Sequence, residues 1–374
     1  MHPLQIKILR LLFSPLFLLT PVLAMAQGAK PPAQTEWNRT LELGKREGKV
    51  VVSIPASAEL RVAIEKQFEA RFGIGVELVA GRASNTVRKI VDEAGAGIHY
   101  ADLHIGGSES IITGLLPEGL LESIDGFMLL AEVKDPKQWW GGHIYVDSAK
   151  KFAYASLGYQ SESLWYNPQL MKPEEVRSFD DLLNDKWKAK IGLLDPRTPG
   201  SGASMWSYLR EAKGEEYLKR LVDQKLFINR DQRVLAENLA KGKIAVVIGL
   251  TYYSYAPFIK AGLSVHPLPA PKEGVYVSGG SGHLAVLKNL PHPNAAKIFA
   301  NWFLSKEGQQ IYGKALVQGT RRLDVETRWL KEKGVIAAKD ALTIEQYYKR
   351  ENQSEEKINR MREPAAALAR KLLD

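Results

Sequence analysis

Two adjacent tyrosines, Tyr252 and Tyr253, stand directly after a short apolar run in the stretch GKIAVVIGLTYYSYAP (242–257). A tyrosine phenol ionises near pH 10 in water, but a hard, highly charged cation such as Fe³⁺ favours anionic oxygen donors. The pair is therefore a candidate ferric-iron site, with His104, Glu109 and His283 as further candidate ligands. The alternative is that both rings pack under a neighbouring loop.

Serines occupy three expected strand-to-helix junctions, at Ser57, Ser108 and Ser201. The start of a helix offers free N–H groups and the positive end of its dipole, which together favour bound anions. The junction Ser201-Gly202-Ala203 is the best of the three, because two small residues let a ligand approach the backbone closely. Each serine can equally be an ordinary helix N-cap.

Arginines lie close to the same junctions, at Arg82, Arg197 and Arg233. A guanidinium group forms paired hydrogen bonds with carboxylate or phosphate, although an isolated arginine is more often a surface charge. The candidate site thus combines anion-binding groups with two phenols, which suits either an anion alone or a metal with an anion.

The elements that carry these residues alternate between strands and helices. Strands are predicted over 49–54, 75–80 and 101–105, and the helix 58–72 is marked by apolar residues at every fourth position. This alternation predicts a parallel sheet covered by helices. The apolar run 244–250 suits a strand buried on both faces. Ligands in such sheets sit beyond the carboxyl ends of the strands, where the tyrosines and serines fall.

The alternation breaks in the middle of the chain. Segments 151–159 and 163–166 read as longer strands and are interpreted as the crossing between two lobes. A second set of strands follows at 191–194, 244–250 and 264–268, and 293–304 reads as a strong amphipathic helix. The chain therefore predicts two α/β lobes with a return to the first.

The N-terminus predicts export. Residues 1–26 combine a basic start (Lys7, Arg10), an apolar segment and a small-residue cleavage site before Gln27, as a signal peptide does. The sequence has no cysteine, which excludes disulfides, thiolate metal sites, a cysteine nucleophile and lipid attachment through cysteine. We expect a periplasmic protein that is not anchored by lipid.

Charge and the absence of known motifs argue against a nucleic-acid-binding protein and against an enzyme. The formal net charge is +9, or +7 without the signal peptide, which favours anionic partners. Export and the absence of a basic run interleaved with aromatic residues argue against nucleic acid. The chain contains no P-loop, HExxH or GxSxG motif. We therefore expect a binding protein and not an enzyme.

Longer segments resemble periplasmic solute-binding proteins of ABC importers, in the family that includes ferric-iron-binding proteins. The resemblance covers nearly all of the mature chain and rests on these segments: ADLHIGG, ASLGYQSESLWYNPQL, SFDDLLNDKWKAKIGLLDPRTPGSGAS, NLAKGKIAVVIGLTYYSYAP and LPHPNAAKIFANWFLSKEGQQIY. It implies the two-lobe periplasmic-binding-protein fold of type II, with the ligand in a cleft between the lobes. On this basis lobe 1 is expected at 27–155 and 276–325, lobe 2 at 156–275 and 326–374, and the hinge near 152–160 and 270–282.

The resemblance also assigns roles to single residues. Tyr252 and Tyr253 stand where ferric-iron members bind metal, and Ser201-Gly202-Ala203 where they hold a synergistic anion. Arg233 stands near an expected anion contact. The sequence departs from that pattern because the histidine after the first strand is absent. The glutamate after the third strand falls at about Gly107, with Glu109 displaced.

Three hypotheses follow. The first is a monomeric periplasmic protein that captures ferric iron, with an anion, and delivers it to an ABC permease. The second keeps that transport role but takes a metal-free phosphonate, phosphate ester or carboxylate. The third is an enzyme or sensor domain on the same fold. The ligand-binding residues common to the first two are Ser57, Arg82, Ser108, Ser201, Gly202, Ala203, Arg233, Tyr252 and Tyr253.

Overall fold

The structure, a computed structural model, describes residues 32–161 and 164–374. The predicted signal peptide 1–26 lies outside the described residues. The first part of the chain alternates strands and helices, in this order: α1 (Pro32–Glu47), β1 (Lys49–Pro55), α2 (Ala58–Phe72), β2 (Gly75–Gly81), α3 (Ala83–Gly95) and β3 (Leu103–Gly106). Shorter elements follow it: α4 (Ser108–Ser110), a π-helical turn (Ile111–Leu115), β4 (Leu121–Glu122), α5 (Ala131–Lys134) and β5 (Tyr154–Ala155).

The middle of the chain holds a second set of alternating elements. They are β6 (Tyr159–Ser161), β7 (Leu164–Tyr166), β8 (Ile191–Leu194), α6 (Ser201–Val222), β9 (Phe227–Asn229), α7 (Gln232–Ala240), β10 (Val246–Ile248), α8 (Tyr252–Lys260) and β11 (His266–Pro267). The C-terminal part holds β12 (His283–Leu287), α9 (Pro293–Leu304), α10 (Lys306–Leu316), β13 (Val335–Ala337), α11 (Ala338–Ala341), α12 (Ile344–Arg350), α13 (Glu355–Lys357) and α14 (Glu363–Leu373). No helix in the described part of the chain is long and apolar enough to cross a membrane.

Two mixed sheets form the centres of two lobes in the described ranges. The first has the order β2-β1-β3-β12-β4, with β5 also paired to β12, and the second has the order β11-β7-β10-β8-β9. Strands β1, β2 and β3 are parallel, as are β8, β9 and β10, whereas β12 and β7 run antiparallel to their neighbours. The predicted α/β two-lobe fold is confirmed, but neither sheet is purely parallel.

Helices cover each sheet, and the spacing of apolar residues in the sequence predicts which face of a helix is buried. On α2 the buried residues are Leu60, Ile64, Phe68 and Phe72, which is the predicted four-residue spacing. They pack with α9, where Phe299 and Trp302 lie 5.0 and 5.4 Å from the Phe68 ring. The bounds of α2 and α9 are those predicted from the sequence.

The chain passes between the sheets through β6 and returns after β11. At the crossing, Tyr159 and Ser278 exchange two backbone hydrogen bonds of 2.8 Å, so the outgoing and returning segments are paired. The predicted long strand 151–159 is wrong. It is divided into β5 and β6, because Leu157 leaves the first sheet to pair with Thr320.

The C-terminal segment contributes to both lobes. Leu330 and Val335 belong to the core of the first lobe, whereas Ala365 and Leu368 belong to the core of the second, against α6. The domain and hinge boundaries drawn from the sequence stay a prediction.

A buried arginine stabilises the segment at which the chain begins to pass from the first sheet to the second. The Arg321 side chain is fully buried and donates to the carbonyl oxygens of Ala155 (2.6 Å), Trp140 (2.7 Å) and Gly142. A buried carbonyl without a donor is destabilising. The guanidinium of Arg321 therefore fixes β5 to the loop beside it.

We predict that Arg321→Gln lowers the free energy of unfolding by about 1–3 kcal/mol, because it leaves buried carbonyls unsatisfied. Denaturant unfolding monitored by circular dichroism measures this change. The control is Arg328→Gln, at a side chain that is 86% exposed. Equal stability of the two variants would contradict the role given to Arg321.

Candidate ligand-binding site

A cavity of about 960 Å³ lies between the two lobes, where the strands of both sheets reach their carboxyl ends. From the first lobe it is lined by residues that follow β1, β2 and β3, and from the second by residues at the starts of α6, α7 and α8. Tyr159, Tyr276, Ser278, Gln318, Gln353 and Arg362 complete the wall. This is the edge at which open α/β sheets bind ligands.

The structure brings together some of the predicted site residues and not others. Those that line the cavity are Arg82, Ser108, Ser201, Arg233 and Tyr253. Those that do not line it are Ser57, Gly202, Ala203 and Tyr252. Arg197 is also absent from the wall, because its guanidinium pairs with Asp195 and Asp374. The ligand roles of these residues stay predictions.

The serines at the junctions differ in their surroundings. Ser57 is the N-cap of α2, and its hydroxyl accepts a hydrogen bond from the Leu60 N–H at 3.2 Å. Ser108 begins α4, is 2% exposed, and its hydroxyl has no hydrogen-bond partner among the described residues. Ser57 is therefore engaged in its own helix, whereas Ser108 keeps a free polar group at the cavity wall.

The start of α6 is built differently from the prediction. Gly200, with φ of +145°, is the N-cap, and Ser201 is the first helical residue. A Cβ on Gly202 would lie 2.4 Å from the Leu194 carbonyl oxygen and one on Gly249 3.1 Å from the Gly202 Cα. The smallness of Gly202 thus serves close packing against β8 and β10. Ala203 is likewise buried.

The two tyrosines point in different directions. Both belong to α8, where consecutive side chains leave the helix about 100° apart. Tyr253 lines the cavity. The Tyr252 ring lies 6.0 Å from the Trp165 ring, and Lys333 Nζ lies 5.8 Å from its centroid. The predicted strand before them is shorter than expected, because Gly249 leaves it with φ of +92°.

The wall carries more positive than negative charge. Four arginines (Arg82, Arg230, Arg233 and Arg362) face two carboxylates (Glu109 and Asp231). Arg230 is neutralised by Asp195 at 2.9 Å. Burial raises the pKa of Asp195, but hydrogen bonds from Arg197 and Arg230 outweigh it and lower the value to about 2, so this carboxylate stays ionised.

Arg82 and Arg233 differ from the other two arginines of the wall in their partners. Within the part of the chain that the structure describes, neither side chain forms an ion pair. Burial lowers the pKa of Arg82, and the nearby carboxylates of Asp195 and Asp231 only partly offset this effect. Arg233 is exposed. Both guanidinium groups are therefore available to pair with an anion that enters the cavity.

The candidate ligands His104 and His283 lie outside the cavity wall. Both are buried, and burial lowers the pKa of each to about 4, so both are neutral near pH 7. His104 Nδ1 is 2.9 Å from Ser53 Oγ. Among the described residues there is no group of three or more His, Cys, Asp or Glu that could hold a metal ion.

Side chains of the two lobes contact each other beside the cavity. Arg82 of the first lobe donates to Thr198 Oγ1 at 2.7 Å and to the Arg230 carbonyl at 3.2 Å. Glu59 pairs with Lys260. Glu109 of the first lobe accepts a hydrogen bond from the Gly200 N–H at the start of α6. These contacts join residues that are far apart in the sequence, which explains why sequence patterns do not reveal them.

The model of the family described as bacterial extracellular solute-binding protein matches residues 53–310, which is more than half of the chain. The chain belongs to this family. The family is one of non-catalytic proteins that bind small ligands outside the cytoplasm and work with ABC permeases, as the resemblance predicted.

Solved structures share the fold of this solute-binding protein. AfuA from Actinobacillus pleuropneumoniae, with fructose-6-phosphate bound, is 21% identical with a TM-score of 0.63, covering 86% of this chain and 99% of AfuA. Iron-bound HitA from Pseudomonas aeruginosa is 20% identical with a TM-score of 0.62, covering 87% and 99%. An uncharacterized protein from Haemophilus influenzae is 24% identical over 277 residues, or 71% of this chain and 76% of that protein.

We predict that Gly202→Ala destabilises this solute-binding protein by about 1–3 kcal/mol, because the new methyl group overlaps the Leu194 carbonyl. The matched control is Gly95→Ala, at a helical glycine whose added Cβ meets nothing within 4 Å. Thermal unfolding of both variants measures the difference. A Gly202→Ala variant as stable as the control would show that packing does not require glycine there.

Proposed function

We propose that this protein captures a small organic anion, a phosphate ester, phosphonate or carboxylate, and delivers it to an ABC permease. The observation that carries the proposal is the pair of guanidinium groups, Arg82 and Arg233, that line one cavity without a carboxylate partner among the described residues. Guanidinium groups bind carboxylate and phosphate through paired, charge-assisted hydrogen bonds.

The size and polarity of the cavity support the same ligand class. Pockets for small organic ligands usually enclose about 300–1,000 Å³, and this cavity has about 960 Å³. Polar side chains line it on several sides, among them Ser108, Ser254, Gln318 and Gln353. They can bind the hydroxyl or carbonyl groups of an organic molecule. The fold of AfuA, whose structure contains fructose-6-phosphate, adds support by similarity.

We predict that Arg233→Gln weakens binding of the organic anion by about tenfold or more, since one charge-assisted contact is removed. Isothermal titration of a panel of sugar phosphates, phosphonates and di- or tricarboxylates, with a metal chelator present, first finds the ligand and then measures the change. Arg220→Gln, at an exposed position of α6 outside the cavity, is the control. If no panel member binds without metal, or if Arg233→Gln binds as tightly as wild type, the anion proposal is wrong.

Ferric iron with an anion is the second candidate. Tyr253 lines the cavity and can supply one phenolate, and similar folds such as that of HitA have been determined with iron bound. Tyr252 packs beside Trp165 and is less suited to the same metal ion. Iron held here would need further oxygen donors, from an anion or from water.

The two tyrosines provide matched variants for the iron hypothesis. If iron binds, the loaded protein should be coloured by phenolate-to-iron charge transfer. Tyr253→Phe should abolish that colour, whereas Tyr252→Phe should retain most of it, because only Tyr253 lines the cavity. Visible absorption after incubation with ferric citrate is the measurement. A colourless wild type would eliminate iron, and loss of colour in both variants would contradict the separation of the two rings.

A further inference from the structure

A carboxylate of the first lobe crosses the cavity to the second. Glu109, in α4, pairs with Arg362 Nη2 and accepts a hydrogen bond of 3.2 Å from the Gly200 N–H. Arg362 also donates to Ser204 Oγ at 2.7 Å and lies 3.2 Å from the Gly200 carbonyl oxygen. The Glu109 and Arg362 side chains are 12% and 3% exposed. The pair is therefore almost removed from water.

The place that Glu109 occupies is the start of α6. This is the helix start at which Ser201 and its neighbours are predicted to hold an anion, and helix starts favour negative charge. Here a carboxylate of the protein itself bonds to Gly200, the N-cap directly before Ser201, and Arg362 supplies the opposite charge. The sequence does not reveal this, because 91 and 253 residues separate Glu109 from Gly200 and Arg362.

The same end of the cavity holds buried polar atoms without partners. The Ser108 hydroxyl and Arg362 Nε have no hydrogen-bond partner among the described residues, and both residues are more than nine-tenths buried and line the cavity. A buried polar atom without a partner is destabilising. These atoms indicate that this end receives polar groups, in addition to the carboxylate of Glu109.

We propose that Glu109 is a specificity-determining residue, an internal anion that fills the start of α6 and excludes the charged group of a ligand from it. The ligand's negative charge is then confined to Arg82 and Arg233, and its uncharged polar part faces Ser108 and Glu109. The class of ligand that fits both ends carries charge at one end only. This inference rests on the proposed function for the identity of that ligand, but the exclusion itself concerns any anion.

The test removes the carboxylate and the space it fills. In Glu109→Ala, the Gly200 N–H and Arg362 both lose their acceptor, so inorganic phosphate should bind at least about ten times more tightly than it does to wild type. Isothermal titration with phosphate in a chloride buffer of constant ionic strength measures the change. Glu118→Ala, at an exposed position in the same lobe, is the control and should match wild type. No gain in Glu109→Ala overturns the proposal.

Two double variants locate the phosphate. The gain should disappear in Glu109→Ala/Arg362→Gln and persist in Glu109→Ala/Arg233→Gln. The reverse pattern would mean that phosphate binds at the other end, and it overturns the proposal. Because Arg233 is not needed for the gain, failure of the proposed function and failure of this inference give different results.

The proposal can still be tested if the Glu109 variant does not fold. If the unpaired Arg362 prevents Glu109→Ala from folding, phosphate should replace the missing carboxylate and restore folding, whereas chloride at equal ionic strength should not. Circular dichroism after refolding in the two buffers measures this. Rescue by phosphate supports the proposal, and equal failure in both buffers overturns it.

Discussion

The cavity exists because two sheets present the carboxyl ends of their strands to each other. Parallel strands joined by helices place every strand-to-helix turn at the same edge of the sheet. Each lobe contains such a parallel set, β1 to β3 in one and β8 to β10 in the other. The paired crossing at Tyr159 and Ser278 keeps the two edges opposite each other. The remaining features of the site depend on this placement.

Charge then determines what the cavity can hold. Each of Arg197, Arg230 and Arg362 has a carboxylate within the protein, at Asp195 or Glu109, whereas Arg82 and Arg233 have none in the described ranges. A cavity whose wall holds more guanidinium groups than carboxylates, two of them outside any ion pair, binds anions better than cations. This distribution favours an organic anion over bare iron, and iron together with an anion is the form of the iron hypothesis that remains compatible with it.

The sequence predicted the parts of the fold that depend on local periodicity. The helices Ala58–Phe72 and Pro293–Leu304 have the predicted bounds, because their apolar spacing and their first residues are visible in the chain. The sequence did not predict the directions in which side chains point at the site. Tyr252 and Tyr253 are adjacent in sequence, but the turn of α8 separates their rings. The pairing of Glu109 with Arg362 depends on the docking of two lobes and a C-terminal segment, which no local pattern encodes.

The central claim is that this solute-binding protein carries an organic anion without metal. It is tested most directly on protein purified under native conditions from the cells that naturally produce it, by denaturing one sample for both mass spectrometry and metal analysis. We expect an organic molecule bearing phosphate, phosphonate or carboxylate in nearly equimolar amount, with iron far below one atom per chain. Iron close to one atom per chain would contradict it.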